Sequence, residues 1–183
     1  IDADGTLLGT TRMLHIAQMP GFYEQDYYTP GDHGMPVYAT AAGRVGVAIC
    51  YDRHYPEVMR SLGLQRADVV VIPQAGAAGE WPDGLYEAEL AVAAFQNGYF
   101  TALANRVGVE ADVTFAGASF VCDPAGRVVA RGPAGAEALV YADIDLSQVP
   151  ACHARQLFLR DRRPELLQSL LSFDGSQPLA PSP

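Results

Sequence analysis

The strongest candidate for chemistry in this sequence is a cysteine at the end of an apolar run. Residues 45–50 read Val-Gly-Val-Ala-Ile-Cys, and a turn then leads to Pro56, a residue suited to the first position of a helix. A thiol beside a helix N-terminus is expected to have a lowered pKa. The backbone N–H of Tyr51 is placed to hold an oxyanion. The pattern predicts a nucleophile at Cys50, with a buried and inert cysteine as the alternative.

The other cysteines and the histidines give weaker signals. Cys122 and Cys152 are expected to be structural. His15, His33 and His54 show no spacing typical of a zinc site, and the sequence contains no Cys-x-x-Cys pair. We therefore expect no metal. Few and widely spaced cysteines are typical of a reducing compartment, which predicts a cytoplasmic protein.

Strand and helix signals alternate along the chain, which predicts an α/β fold. Apolar runs and their boundaries predict strands at 45–50, 69–73, 99–104 and 138–144, helices at 56–64 and 82–97, a hairpin of 117–122 with 128–130, and a short helix near 164–171. Residues 1–8 are expected to form a strand, a turn and a second strand. Residues 12–36 lack periodicity and are predicted to form a long functional loop.

Composition limits the classes of partner. The 183 residues, 49% of them hydrophobic, suffice for one domain, which we place at 1–174, followed by a flexible Ser/Pro-rich tail at 175–183. The net charge is −9, and all 12 basic residues are Arg. This charge argues against nucleic acid or an anionic membrane as partner. No apolar run approaches the length of a membrane span.

Several segments in order resemble the nitrilase, or carbon–nitrogen hydrolase, superfamily. The segments are 1–9, 28–32, 47–57, 105–108, 117–119 and 161–165. The resemblance is to its N-carbamoyl amino acid amidohydrolase and beta-ureidopropionase-like members in particular. It implies an αββα sandwich of the nitrilase type, here its C-terminal portion, with the N-terminal part missing. It also implies a homo-oligomer, dimeric or larger, and no metal or organic cofactor.

The family hydrolyses non-peptide C–N bonds with a Glu–Lys–Cys triad. The resemblance assigns the nucleophile to Cys50 and a supporting second glutamate to Glu24, while the first glutamate of the family lies N-terminal to this sequence. Met13 occupies the position of the lysine. Methionine carries no charge and donates no hydrogen bond. Three readings follow: the chain is inactive or slow, Arg12 or His15 supplies the cation, or a residue outside this sequence does.

Two basic residues after the nucleophile bear on the substrate. In the family, N-carbamoyl amino acid hydrolases hold the substrate carboxylate with basic residues here, so Arg53 and His54 are expected to bind substrate. The alternative is a structural salt bridge from Arg53 to Asp52 or Glu57. We expect a hydrolase of a small N-carbamoyl or amide compound that can carry a carboxylate. The alternatives are a non-catalytic homologue that binds a small ligand or a partner, and a Cys–His hydrolase on an unrelated α/β fold.

Overall fold

A six-stranded sheet forms the centre of the computed structural model, which describes residues 1–168. The strands are β1 (Gln18–Met19), β2 (Phe22–Tyr23), β3 (Val37–Thr40), β4 (Gly43–Val47), β5 (Val69–Gln74), β6 (Phe100–Asn105), β7 (Val107–Glu110), β8 (Val113–Ala116), β9 (Phe120–Cys122) and β10 (Val128–Arg131). The large sheet has the order β10-β9-β6-β5-β4-β3. Its centre, β4-β5-β6, is parallel, and the outer pairs are antiparallel.

Two helices connect the parallel strands. Helix α1 (Pro56–Leu64) has the predicted bounds, with Pro56 in its first turn. Helix α2 (Leu85–Asn97) begins three residues later than predicted, after Gly84 in a left-handed conformation. It ends before Gly98, whose φ of 70° favours glycine. A one-turn helix, α3 (Gln148–Ala151), and a π-helical turn (Ala154–Phe158) follow the sheet.

The helices pack on the central strands through a continuous apolar core. Leu62 of α1, Leu90 of α2 and Ile72 of β5 are completely buried. Burying such side chains contributes about 1.5–3 kcal/mol each. The alternation of parallel strands and helices confirms the predicted α/β class. Because parallel strands all end at one sheet edge, the residues that follow β4, β5 and β6 are brought together there.

Other boundaries differ from the predictions. Strand β4 ends at Val47, and Cys50 lies beyond it at the start of a 3-10 turn (Cys50–His54). The strand predicted at 138–144 is wrong: this segment pairs with no other strand within the described chain. Its side chains Leu139 and Tyr141 are 80% and 81% exposed, so they have no packing partner either. Residues 1–8 contain a turn but no strand.

The remaining predictions concern the loop and the C-terminus. The loop at 12–36 contains the small β1–β2 hairpin and a 3-10 turn (Glu24–Asp26). Only a 3-10 turn (Pro164–Leu166) forms in the predicted C-terminal helix as far as residue 168. The end of the predicted helix, residues 169–171, and the predicted tail at 175–183 lie outside the described residues. No helix within residues 1–168 is long and apolar enough to cross a membrane.

Candidate active site

The turn after β4 holds Cys50 in an unusual backbone conformation. Its φ is 50°, in the left-handed region that residues with a side chain rarely adopt. The chain changes direction here, from the extended Ile49 into the 3-10 turn and then into α1. Such strain is retained where the surrounding structure holds it, often at functional sites. Ala75, just beyond β5, lines the same cavity as Cys50, and its backbone N–H lowers the pKa of the thiol.

A cavity of about 530 Å³ opens beside this cysteine. Its walls include Met13, Glu24, Cys50 and Gln74. The structure therefore brings the three sequence-predicted positions of the catalytic set together from segments far apart in the chain. Arg12 also lines this cavity, and its guanidinium donates to the carboxylate of Asp32 at 2.8 Å.

The electrostatics of Cys50 differ from the prediction. Burial raises the pKa of its thiol above the ordinary value, and the carboxylates of Glu24 and Glu80 raise it further. The N–H of Ala75 and the charge of Arg53 oppose this effect. The predicted lowering of the thiol pKa by a helix N-terminus is therefore wrong. Burial penalises the thiolate and two carboxylates repel it, so the pKa rises instead.

A buried carboxylate joins the cysteine turn to the segment that carries Met13. Asp52 is fully buried and accepts hydrogen bonds from the backbone N–H groups of Leu14 and His15, the latter at 2.9 Å. Its Oδ1 also lies 2.8 Å from Nδ1 of His15, whose ring stacks on Tyr55. Sequence reasoning missed this positioning role. A charged residue inside a buried turn was the available signal.

Arg53 and His54 both contact Glu89 of α2 rather than line the cavity. The Arg53 side chain is 2% exposed, and its Nε donates to Glu89 at 3.1 Å. Nδ1 of His54 lies 2.7 Å from the other oxygen of Glu89. Arg53 also donates to the backbone carbonyl of Cys50. Arg53 therefore forms a salt bridge, but with Glu89 of α2 and not with Asp52 or Glu57. Substrate binding by Arg53 and His54 stays a prediction.

The geometry does not favour a Cys–His pair. His15 is engaged with Asp52 and His54 with Glu89, and neither lines the cavity that Cys50 opens onto. Tyr51 lies in the 3-10 turn directly after Cys50, and its ring contacts those of His54 and Tyr55 edge-on. The role of its N–H as an oxyanion donor stays a prediction. Residues 1–168 contain no group of three metal-ligating side chains.

Sequence reasoning also missed Gln74, at the carboxyl end of β5. The residue is 8% exposed and lines the cavity. Neither its Nε2 nor its Oε1 has a hydrogen-bond partner among residues 1–168. A polar residue ending a buried apolar strand was the available signal.

Comparison with known proteins identifies the family. The family model for carbon–nitrogen hydrolases matches residues 1–154. The chain belongs to the carbon–nitrogen hydrolase family. N-carbamoylputrescine amidase of Solanum tuberosum is 37% identical over 98% of this chain, and citrullinase of Francisella tularensis is 31% identical over 93%. The chain spans 64% and 63% of the lengths of these two relatives.

Solved structures agree with this assignment and with the nitrilase-type fold predicted. A carbon–nitrogen hydrolase from Helicobacter pylori G27 superposes with a TM-score of 0.85 at 35% identity, covering 92% of this chain and 62% of its own. A mutant amidase from Nesterenkonia sp. AN1 superposes with a TM-score of 0.72 at 26% identity, covering 86% and 54%. That amidase carries the acetamide moiety of fluoroacetamide on its active-site cysteine.

Proposed function

We propose that the protein hydrolyses a C–N bond of an N-carbamoyl or amide compound by acylating Cys50. The observation that carries the proposal is the opening of the strained Cys50 turn onto a cavity that Glu24 also lines. Family relatives named for N-carbamoylputrescine and citrulline support the same bond type. The carbamoyl group is the chemistry that these two substrates share.

The reaction follows from the groups at the cavity. The Cys50 sulfur attacks the carbamoyl carbon, and the carbonyl electron pair moves to oxygen. When the carbonyl re-forms, the C–N bond breaks and the leaving nitrogen takes up the proton that the thiol released. Glu24 supports this proton transfer as a carboxylate at the cavity. Water then attacks the thioester carbon, releases the acyl group and restores the thiol.

A non-catalytic homologue is the second candidate, and Met13 is the observation that favours it. The side chain at the family's lysine position lines the cavity, yet it bears neither a charge nor a donor. An enzyme that lacks one oxyanion donor loses roughly 10²–10³-fold in rate. On this alternative, the cavity binds a small N-carbamoyl or amide ligand without turning it over.

The proposed substrate can carry a carboxylate, but the residues that would meet it differ from the expectation. Arg53 is paired with Glu89, whereas Arg12 lines the cavity and is 44% exposed. Arg12 is therefore the guanidinium from which a substrate carboxylate would receive hydrogen bonds. Asp32, which already accepts from Arg12, would compete with that carboxylate.

Ammonia release by the full-length protein tests the function. The assay uses N-carbamoyl compounds with anionic, neutral and cationic tails, and Cys50→Ala as the matched control. We expect turnover in the parent and none in Cys50→Ala, together with an S-acyl or S-alkyl mass adduct on Cys50. Ligand binding without turnover or adduct supports the non-catalytic alternative. Equal rates for all three tails contradict recognition of a carboxylate.

We infer that the protein works in the cytoplasm as a homo-oligomer without nucleic acid or membrane. Three cysteines without a disulfide and a net charge of −9 support the compartment and the lack of polyanionic partners.

Partly exposed apolar side chains on α2 and the π-helical turn support self-association: Val92, Phe95, Leu157 and Phe158. Light scattering tests it, because replacement of Phe95 by Asp should lower the measured mass.

A further inference from the structure

We propose that the Gln74 side-chain amide binds the substrate carbonyl at Cys50 and supplies the hydrogen-bond donor that Met13 cannot. This inference rests on the proposed function and deepens it. The Nε2 group donates to the oxygen that becomes negative when the thiolate attacks. The Oε1 atom accepts from a substrate N–H group. Gln74 would thus be a substrate-binding residue at the reacting bond.

The first argument is that the amide is buried without a partner. Gln74 is 92% shielded from solvent, since its exposed fraction is 8%. Neither polar atom has a hydrogen-bond partner among the described residues. Leaving a buried polar group unpaired costs about 1–3 kcal/mol. Such a cost is retained most readily where a bound molecule supplies the missing partners.

The second argument is where the amide lies. Gln74 and Cys50 line the same cavity. The next residue, Ala75, lines this cavity too, and its backbone N–H lowers the pKa of the Cys50 thiol, so the end of β5 lies beside the nucleophile. A carbonyl carbon bonded to that sulfur would have its oxygen close to this strand end.

The third argument is that the polar group nearest the amide has another partner. A Cβ on Gly76 would lie 2.5 Å from Nε2 of Gln74 and equally 2.5 Å from the Tyr86 hydroxyl. Those two atoms are therefore separated by no more than twice that distance. The Tyr86 hydroxyl donates to Glu80, and the Arg53 guanidinium lies 4.8 Å from the centre of the Tyr86 ring. Because the Tyr86 hydroxyl is engaged with Glu80, the Gln74 amide is left available to a ligand.

The fourth argument is chemical. Met13 has no donor, His15 is engaged with Asp52, and Arg12 donates to Asp32. A neutral amide can stabilise an oxyanion by a directed hydrogen bond, and removal of one such donor typically costs 10²–10³-fold in kcat. Glutamine cannot replace the charge of a lysine, so this site is expected to be slower than one with both groups.

The replacement of Gln74 by Met tests the proposal, because methionine keeps the approximate shape and removes both polar atoms. In the full-length protein we expect kcat and kcat/KM to fall together by roughly 10²-fold or more. The melting temperature should stay the same or rise, since an unpaired buried amide is lost. Gln74→Glu, which keeps an acceptor but adds charge, should also lose activity. Gln96→Met, on the exposed face of α2, is the matched control and should retain parental rates.

A second background separates this proposal from a structural role. In Met13→Lys protein, the lysine supplies an oxyanion donor, so Gln74→Met should cost less than in the parent, about tenfold or below. Parental kcat in Gln74→Met overturns the proposal while the function stands. An equal loss in both backgrounds with a lowered melting temperature also overturns it, in favour of a structural role. Absence of turnover in both the parent and Met13→Lys overturns the proposed function itself.

Discussion

Two side-chain amides lie next to each other on the sheet and are used in opposite ways. Gln74 ends β5, and its register partner on β6 is Asn105. Asn105 accepts from the N–H of Gly76 at 2.8 Å and donates to the carbonyl of Gly117 at 2.9 Å. Gln74 has no partner among residues 1–168. The Asn105 amide therefore hydrogen-bonds to the backbone, whereas the Gln74 amide is available to a ligand.

The cavities beside these amides differ in the same way. Asn105 lines a smaller cavity of about 330 Å³ together with Ser119, whose hydroxyl accepts from the Asn105 backbone N–H. Gln74 lines the cavity that holds Cys50 and Glu24. The comparison teaches that satisfied polar groups indicate structural support, whereas an unpaired buried group beside a nucleophile indicates a ligand position.

Restoration of a lysine should give the largest effect. Because a Met13→Lys substitution supplies a charged oxyanion donor at the Cys50 cavity, we expect kcat/KM for an N-carbamoyl substrate to rise roughly 10²–10³-fold. Steady-state ammonia release measures it. Ala138→Lys, in the wall of the smaller cavity, is the matched control and should leave the rate unchanged. An unchanged rate in Met13→Lys would show that the cavity does not stabilise an oxyanion at this position.

Removal of the satisfied amide should reduce stability. In Asn105→Ala, the N–H of Gly76 and the carbonyl of Gly117 lose their partners, so the free energy of unfolding should fall by about 2–3 kcal/mol. Urea denaturation measures it, with Gln96→Ala as the control for an exposed side chain. Gln74→Met should not lower the free energy of unfolding. If both amide variants were equally destabilised, the contrast between them would be wrong.

The smallest of these effects should be a shift in the pH profile of Cys50 alkylation when Glu24 is neutralised. Glu24 raises the pKa of the Cys50 thiol, so Glu24→Gln should lower that pKa and increase the thiolate fraction at neutral pH. The rate of iodoacetamide alkylation of Cys50 against pH measures this, and the profile should move to lower pH. Turnover should nevertheless fall, because the carboxylate is lost from proton transfer. Glu137→Gln, beside the smaller cavity, should move neither, and a shift of the Glu24→Gln profile to higher pH would contradict the assignment.

Much of the fold followed from local patterns. Continuous apolar runs predicted the three parallel strands, and Pro56 with Gly98 marked helix ends that the structure reproduces. The strand prediction at 138–144 was wrong because apolar composition does not ensure a pairing partner. Leu139 in this segment is 80% exposed. The site predictions were uneven for a related reason. Cys50, Glu24 and Met13 share a cavity, whereas Arg53 turned inward to Glu89, 36 residues away in the chain.

The sequence by itself determined the α/β class, the family and the cysteine at the end of an apolar run. It also showed that the chain contains no lysine and that Met13 stands where the family has its catalytic lysine. Only the tertiary structure decided which polar groups have partners. It engaged Arg53 with Glu89, Asp52 with His15 and Asn105 with Gly76, and left Gln74 unpaired beside Cys50. The physical reason is that hydrogen-bond satisfaction depends on contacts between distant segments, which no local pattern records.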